Sequence, residues 1–491
     1  MKLDHTKAPI FEALLKYNTD GIVPMHVPAH KQGRFCDPAF RDFIGQNVLD
    51  IDLTLTSDLD HFHDPRGPFK LAEELAADAH GADAAYFLIN GTSGGVQAMI
   101  MAVCKPNDKI LVPRNVHKSV LAGLIFTGAV PVYIEPEHSG EWDFAFGIKA
   151  ADVEAALDAD PEIKAVFVVN PTYFGVVSEL IKIVEVCRRR DVLVLADEAH
   201  GGHLYFGEKG SLPLSAMEAG CDMSAISTHK MSGSFTQSST LLVRDGEREV
   251  RGEKPLQHHK IRELLAYLQT TSPSYILLAS LDTARREMAL NGQEHVRRTI
   301  QLANYARQEL NKVGGCKVMS IDGFDPTKLV ISSKECGIIG RQLMQDLRRA
   351  PHNIELEMSF FFGVLALITI GDTKETVDKL INAAKSVFST YSKGGHIPHP
   401  KSKPPFPKMV LTPREAYFGG HETEVIPFNQ SFGRVCAEAA MSYPPGIPII
   451  APGERICTNT FDHIKMMHEY SMNFQGPQDT KLHSIKVYKN L

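Results

Sequence analysis

Between about residues 70 and 245, short apolar runs alternate with amphipathic stretches. The runs fall at 85–89, 109–112, 130–134, 165–169, 192–196 and 224–227, and their apolar residues are consecutive rather than alternating with polar ones. A strand with apolar side chains on both faces is buried on both, so the pattern predicts a parallel sheet flanked by helices. Stretches 71–80 and 180–190, the latter with Val184, Val186 and Cys187 on its apolar side, predict crossover helices. Beyond residue 260, a long helical pattern through 285–313 precedes strand-like 328–331 and 363–370 and a helix over 373–391. That mixture predicts a smaller α+β domain. Glycines and prolines crowd the stretch 393–407, which reads as a linker. The expected division is an N-terminal segment 1–60, a major domain 61–290, a small α+β domain 291–392, the linker, and a C-terminal domain 408–491.

Composition narrows the function classes. With 491 residues, 43% hydrophobic and 22% charged, the chain is globular and too long for one core. The formal charge of -6 is small, and no basic run interleaves with aromatics, so nucleic acid is not an expected partner. No stretch approaches the roughly 20 apolar residues of a membrane span, and the start lacks a secretory signal, so no membrane partner and a cytoplasmic location are expected. The eight cysteines form no C-x-x-C pair and read as reduced and mostly structural. No metal site is expected.

Three motifs carry chemistry. Asn90-Gly91-Thr92-Ser93-Gly94-Gly95 follows an apolar run and precedes a helix-like stretch at 96–103. Glycines let backbone N–H groups approach an anion, Thr92 and Ser93 add hydroxyls, and the helix start adds a positive dipole end. Alone, this reads equally as an ordinary Gly-rich turn, and it lacks the Lys-Ser/Thr pair of a nucleotide loop. Asp197, in Asp197-Glu198-Ala199-His200, stands at the end of a parallel strand, where it can hold a pyridine nitrogen protonated; a capping or metal-binding acid is the alternative. Ser227-Thr228-His229-Lys230 puts a lysine just past a buried strand, where burial lowers the amine pKa and makes it a nucleophile toward an aldehyde. Phosphate cup, ring-nitrogen partner and amine, in that order, match what pyridoxal 5'-phosphate requires.

Further motifs extend the pattern: Pro28-Ala29-His30-Lys31-Gln32-Gly33, Arg114-Asn115-Val116-His117-Lys118-Ser119, Asn170-Pro171-Thr172-Tyr173, Gln269-Thr270-Thr271-Ser272-Pro273-Ser274, and Tyr443-Pro444-Pro445-Gly446-Ile447-Pro448 with Pro452-Gly453-Glu454. On these, residues 28–454 resemble the bacterial ornithine/lysine/arginine decarboxylase family. The resemblance implies the aspartate-aminotransferase-like α/β fold (fold type I), with a mainly parallel central sheet, a small α+β domain and a C-terminal domain. It implies that His117 stacks on the cofactor ring, that His200 lies near the ring, that Ser227 and His229 occupy phosphate and lysine-flanking positions, and that Thr270 reaches the phosphate of a neighbouring subunit in a homodimer or larger homo-oligomer. Glu357 aligns with an acid that meets the distal cation of the substrate. Ala29 stands where the family has glycine, and Gly201-Gly202-His203 where the acid-stress enzymes carry a Trp.

The implied activity is decarboxylation of a basic amino acid, with Lys230, His117 and Asp197 as the catalytic set. The chain resembles the short form of the family, which favours arginine and polyamine synthesis over lysine or ornithine. An aminotransferase would show an arginine clamp late in the chain, where only Arg434 and Arg455 follow Arg414. A cofactor-binding subunit without activity is the alternative from another class.

Overall fold

The computed structural model describes residues 3–246, 255–391, 394–395, 406–442, 446–470 and 474–491. Most of the expected linker, and Tyr443-Pro444-Pro445, lie outside the described residues. The chain forms two compact units, Met1–Ala102 with Val194–Arg298 and Val103–Leu193 with Thr299–Leu491. Besides the short hairpin of His138–Ser139 and Phe144–Ala145, residues 84–243 form the strands β1 Ala84–Leu88, β2 Lys109–Pro113, β3 Val130–Ile134, β4 Ile163–Val169, β5 Leu193–Asp197, β6 Met223–Ile226 and β7 Ser239–Val243.

In the first unit β5 and β6 pair in parallel, while β7 runs antiparallel to both β6 and β1. In the second, β2 pairs in parallel with β3 and with β4. The α/β class and mostly parallel strands agree with the apolar pattern. Strand β7 is an addition to it. The connection from Ile226 to Ser239 holds only the one-turn helix Thr228–Met231, too little for the crossover that a parallel return needs, so the chain doubles back.

Strand β1 is protected along its other side by side chains. Gln269 accepts from Ile89 N at 2.7 Å and donates to Phe87 O at 3.4 Å, and Glu73 accepts from Phe87 N at 3.2 Å. Backbone groups that would otherwise be buried without partners are thereby satisfied. The helix Gly91–Val103 packs closely on the strands, because a Cβ on Gly95 would lie 2.7 Å from Leu88 Cδ1 and 3.2 Å from Ala225 Cβ.

In the second unit, β8 Lys317–Val318, β9 Lys328–Ser332, β10 Met358–Phe360 and β11 Gly363–Leu367 form an antiparallel sheet of order β8-β9-β11-β10. Leu343 and Leu347 of the helix Gly340–Arg348, and Val377, Ile381, Ala384 and Phe388 of Lys374–Ser389, build its core. At the start of β9, Lys328 Nζ meets Asp325 Oδ2 at 2.7 Å with both side chains fully buried. Residues 423–488 carry a further core of Cys436, Ile450, Ile456, Ile464, Ile485 and Val487, each 0% exposed. No disulfide links the eight cysteines. Among the described residues no helix is long and apolar enough to cross a membrane.

Candidate active site

In the first unit, the ends of β1, β5 and β6 carry the polar residues that the motifs single out. The helix after β1 begins at Gly91, whose φ of +67° suits glycine. Asn90 to Gly95 is therefore the junction and opening turns of the helix itself, not a loop ahead of a helix at 96–103. Gly91 N donates to Gln237 O at 2.9 Å, which fixes the junction against the chain entering β7. Buried Thr92 hydrogen-bonds Ser227 Oγ and, at 3.1 Å, Ser239 Oγ. Three hydroxyls from three segments thus gather at the amino end of a helix, where the unpaired N–H groups and the dipole favour an anion. Ser93, half-buried, sits one residue further along.

Asp197 closes β5 opposite Ala225 of β6. Its Oδ1 accepts from Ala199 N at 3.1 Å. Burial pushes this carboxyl up, and the Ala199 N–H and the charge of Lys230 oppose the rise. A further cation beside it, such as a protonated ring nitrogen, would favour its ionised form. Lys230 lies in the one-turn helix after β6, and its Nζ is 2.9 Å from Nε2 of buried His200. A lysine ammonium at this distance donates to His200 Nε2. His229 Nδ1 bonds Ser238 O at 2.8 Å, and burial lowers its pKa. Next to Asp197, Glu198 is fully buried and accepts from Tyr205 Oη, from Ser224 Oγ at 2.8 Å and from Ala216 N at 2.8 Å; burial pushes its carboxyl up to about 8. With its carboxyl raised that far, Glu198 is the uncharged acid at neutral pH.

Thr270 is exposed, its carbonyl 3.0 Å from His63 Nε2 and its hydroxyl accepting from Ser272 N at 3.1 Å. It does not join the hydroxyl cluster of Thr92, Ser227 and Ser239.

The second unit carries the other two predicted residues. His117 is the N-cap of the helix Lys118–Thr127; its Nδ1 accepts from Ser119 N at 3.2 Å and lies 2.9 Å from Ser119 Oγ. A backbone N–H into Nδ1 assigns the proton of the neutral ring to Nε2. Glu357 is half-buried just before β10, and its N–H donates to Leu365 O at 3.1 Å.

The Lys-Asp-hydroxyl arrangement can be compared with known proteins. The sequence profile of the Orn/Lys/Arg decarboxylase major domain matches residues 8–323, and that of the C-terminal domain matches 400–489. The chain belongs to the Orn/Lys/Arg decarboxylase family. The decarboxylase is 44% identical to the arginine decarboxylase of Halalkalibacterium halodurans and 42% identical to that of Bacillus subtilis, in each case over 98% of both chains. Among solved structures, lysine decarboxylase A from Pseudomonas aeruginosa shares its fold with a TM-score of 0.83 at 24% identity, over 98% of this chain and 80% of that one.

The decarboxylase's departures from the family pattern cost it little locally. Ala29 is not among the residues of positive φ; that conformation falls on Lys31, Gln32 and Gly33, so a methyl group at 29 adds no strain. Sequence reading passed over Ser239, Gln237 and Glu198. The run Ser238-Ser239-Thr240 ahead of Leu241 was the available signal for the first of these.

Proposed function

We propose that this decarboxylase uses pyridoxal 5'-phosphate to convert L-arginine to agmatine and carbon dioxide, feeding polyamine synthesis. The observation that carries the reading is Lys230 Nζ beside His200, with its charge acting on buried Asp197. Arginine is favoured because the relatives that are 42% to 44% identical over nearly the whole chain are arginine decarboxylases. The donor set fits the cofactor. Thr92, Ser93, Ser227 and the amino end of their helix would hold the phosphate, with His229 beside them; Asp197 would hold the ring nitrogen, and Lys230 the aldehyde carbon. His117 and His200 keep the ring-side roles that the family resemblance implies, and Glu357 the role of meeting the distal cation. When bound, pyridoxal phosphate supplies an electron sink for the pair left on Cα as carbon dioxide departs.

The protein's own contribution is charge and position. Asp197, whose charge the Ala199 N–H and Lys230 favour, would keep a proton on the ring nitrogen. His200 accepts from Lys230 and sets the direction of Nζ. The neutral Glu198 adds no second negative charge beside Asp197. The cofactor would sit in a major domain of residues 61–290, after an N-terminal segment 1–60 and before a small domain 291–392, a linker 393–407 and a C-terminal domain 408–491.

We further infer a homodimer, with Thr270 serving the neighbouring subunit. Met25, Val27, Phe35 and Phe43 are 89%, 63%, 83% and 88% exposed within one short N-terminal stretch, a cluster that monomers rarely leave in water. Eight cysteines without a disulfide suit the cytoplasm. The test is to incubate purified protein and cofactor with arginine, lysine and ornithine in turn and to identify the amine. Agmatine is expected; cadaverine or putrescine without agmatine overturns the choice of substrate, and sedimentation as a monomer overturns the dimer.

A further inference from the structure

We propose that Glu454 is a positioning residue for His117, acting through Arg114. The proposal rests on the ring-side role given to His117 above. The ring of His117 is tied to its own helix start through Ser119, so its placement follows the first turn of Lys118–Thr127. That helix, in the second unit, is held at both ends by residues of the same unit that lie more than 280 positions further along the chain. At its start, Lys118 N donates to Gly446 O at 3.1 Å. Just before it, Arg114 Nη2 donates to Glu454 Oε2 at 2.6 Å and to Ile449 O at 3.3 Å, with the guanidinium 5.1 Å from the centre of the Tyr133 ring. At its end, Arg414 Nη1 donates to Phe126 O at 2.7 Å and Ile125 O at 3.2 Å, which caps the last carbonyls.

Glu454 is the fixed point of this arrangement. It is 1% exposed, and the oxygen that receives Arg114 also receives Ala451 N at 2.7 Å. An ion pair so buried gives one geometry rather than several, since any other leaves a charge without a partner. The motifs Arg114 to Ser119 and Pro452-Gly453-Glu454 thus meet in one contact. The first carries His117, and the second holds the guanidinium three residues before it.

The test uses the full chain and four variants: Glu454→Ala, Glu454→Gln, His117→Ala and the double variant Glu454→Ala/His117→Ala. Amide hydrogen exchange is followed in the cofactor-free protein, and kcat and KM for arginine in the loaded enzyme. In E454A, exchange over 115–122 is expected to rise about tenfold while β1 is unchanged, and kcat to fall about 30-fold with little change in KM. E454Q keeps an oxygen for Arg114 and Ala451 N, so it retains most of kcat. In the H117A background, adding E454A is expected to lower kcat less than about twofold, because residues that act through one another are not additive. Additive losses in this cycle, or exchange at 115–122 that stays unchanged or rises no more than elsewhere, overturn the proposal. Should E454A fail to fold, Arg114→Lys keeps the charge but not the fork to Ile449 O, and must show the same local exchange and the same non-additivity with H117A. A wild-type enzyme that makes no agmatine refutes the assigned function but leaves the exchange result to stand or fall by itself.

Discussion

Replacing Glu198 with glutamine should make the protein's stability less sensitive to pH, and the size of the effect follows from where Glu198 sits. Burial raises its carboxyl from 4.5 to about 8, against the three donors Tyr205, Ser224 and Ala216. The unfolded chain loses this proton above about pH 4.5, whereas the folded chain keeps it to about pH 8, so folding takes up a proton between those values. A raised acid therefore costs stability as pH rises. At 1.36 kcal/mol per pH unit, the cost is about 3 kcal/mol at pH 7 and approaches about 5 kcal/mol above pH 8. Glutamine has the same shape and no proton to lose. The stability of E198Q relative to the parent should thus climb by about 3 kcal/mol between pH 5 and pH 8.

Thermal unfolding of both proteins over that range is the assay. Other titrating groups are common to the two and cancel in the difference of their Tm values. A chain of this size shifts by roughly 1–2 °C per kcal/mol, so the difference should widen by several degrees towards alkaline pH. A difference that stays flat means that Glu198 does not titrate in this window, and the reasoning from its burial fails.

Lys230→Ala should abolish the visible absorbance of bound cofactor and lower turnover by at least about 1000-fold, since no other amine replaces it; unchanged turnover would remove Lys230 from the mechanism. Thr92→Val takes one hydroxyl from the cluster with Ser227 and Ser239 and should weaken cofactor affinity about tenfold, read by titration of the cofactor-free protein. Gly95→Val puts methyl groups where even a Cβ lies 2.7 Å from Leu88; a loss of about 1–3 kcal/mol is expected, measured as Tm. Asp325→Ala strips the buried ammonium of Lys328 of its carboxylate and should destabilise by about 3–5 kcal/mol in urea unfolding.

What could be read from the sequence, and what could not, follows the range of the forces involved. Six strands were legible because burial on both faces leaves continuous apolar runs, and β7 was not, because its Ser239 and Thr240 are buried polar residues that a hydropathy pattern reads as loop. Their burial is explained by contacts: Ser239 meets Thr92, and Thr240 meets Thr228 across 3.1 Å. Lys230 and Asp197 stood out because a charge at the end of an apolar strand has no cheap local explanation. The start of the helix at Gly91 was misplaced because its two later glycines, poor helix formers, argue against helix when judged singly. Close packing on Leu88 and Ala225 overrides that propensity. The pair Arg114 and Glu454 marks the limit. Each motif was visible, but 340 residues separate them, and no periodicity reports a contact of that span. A charge on a strand end therefore announces a site in the sequence, whereas the residue that aims it is found only once the fold has closed around both.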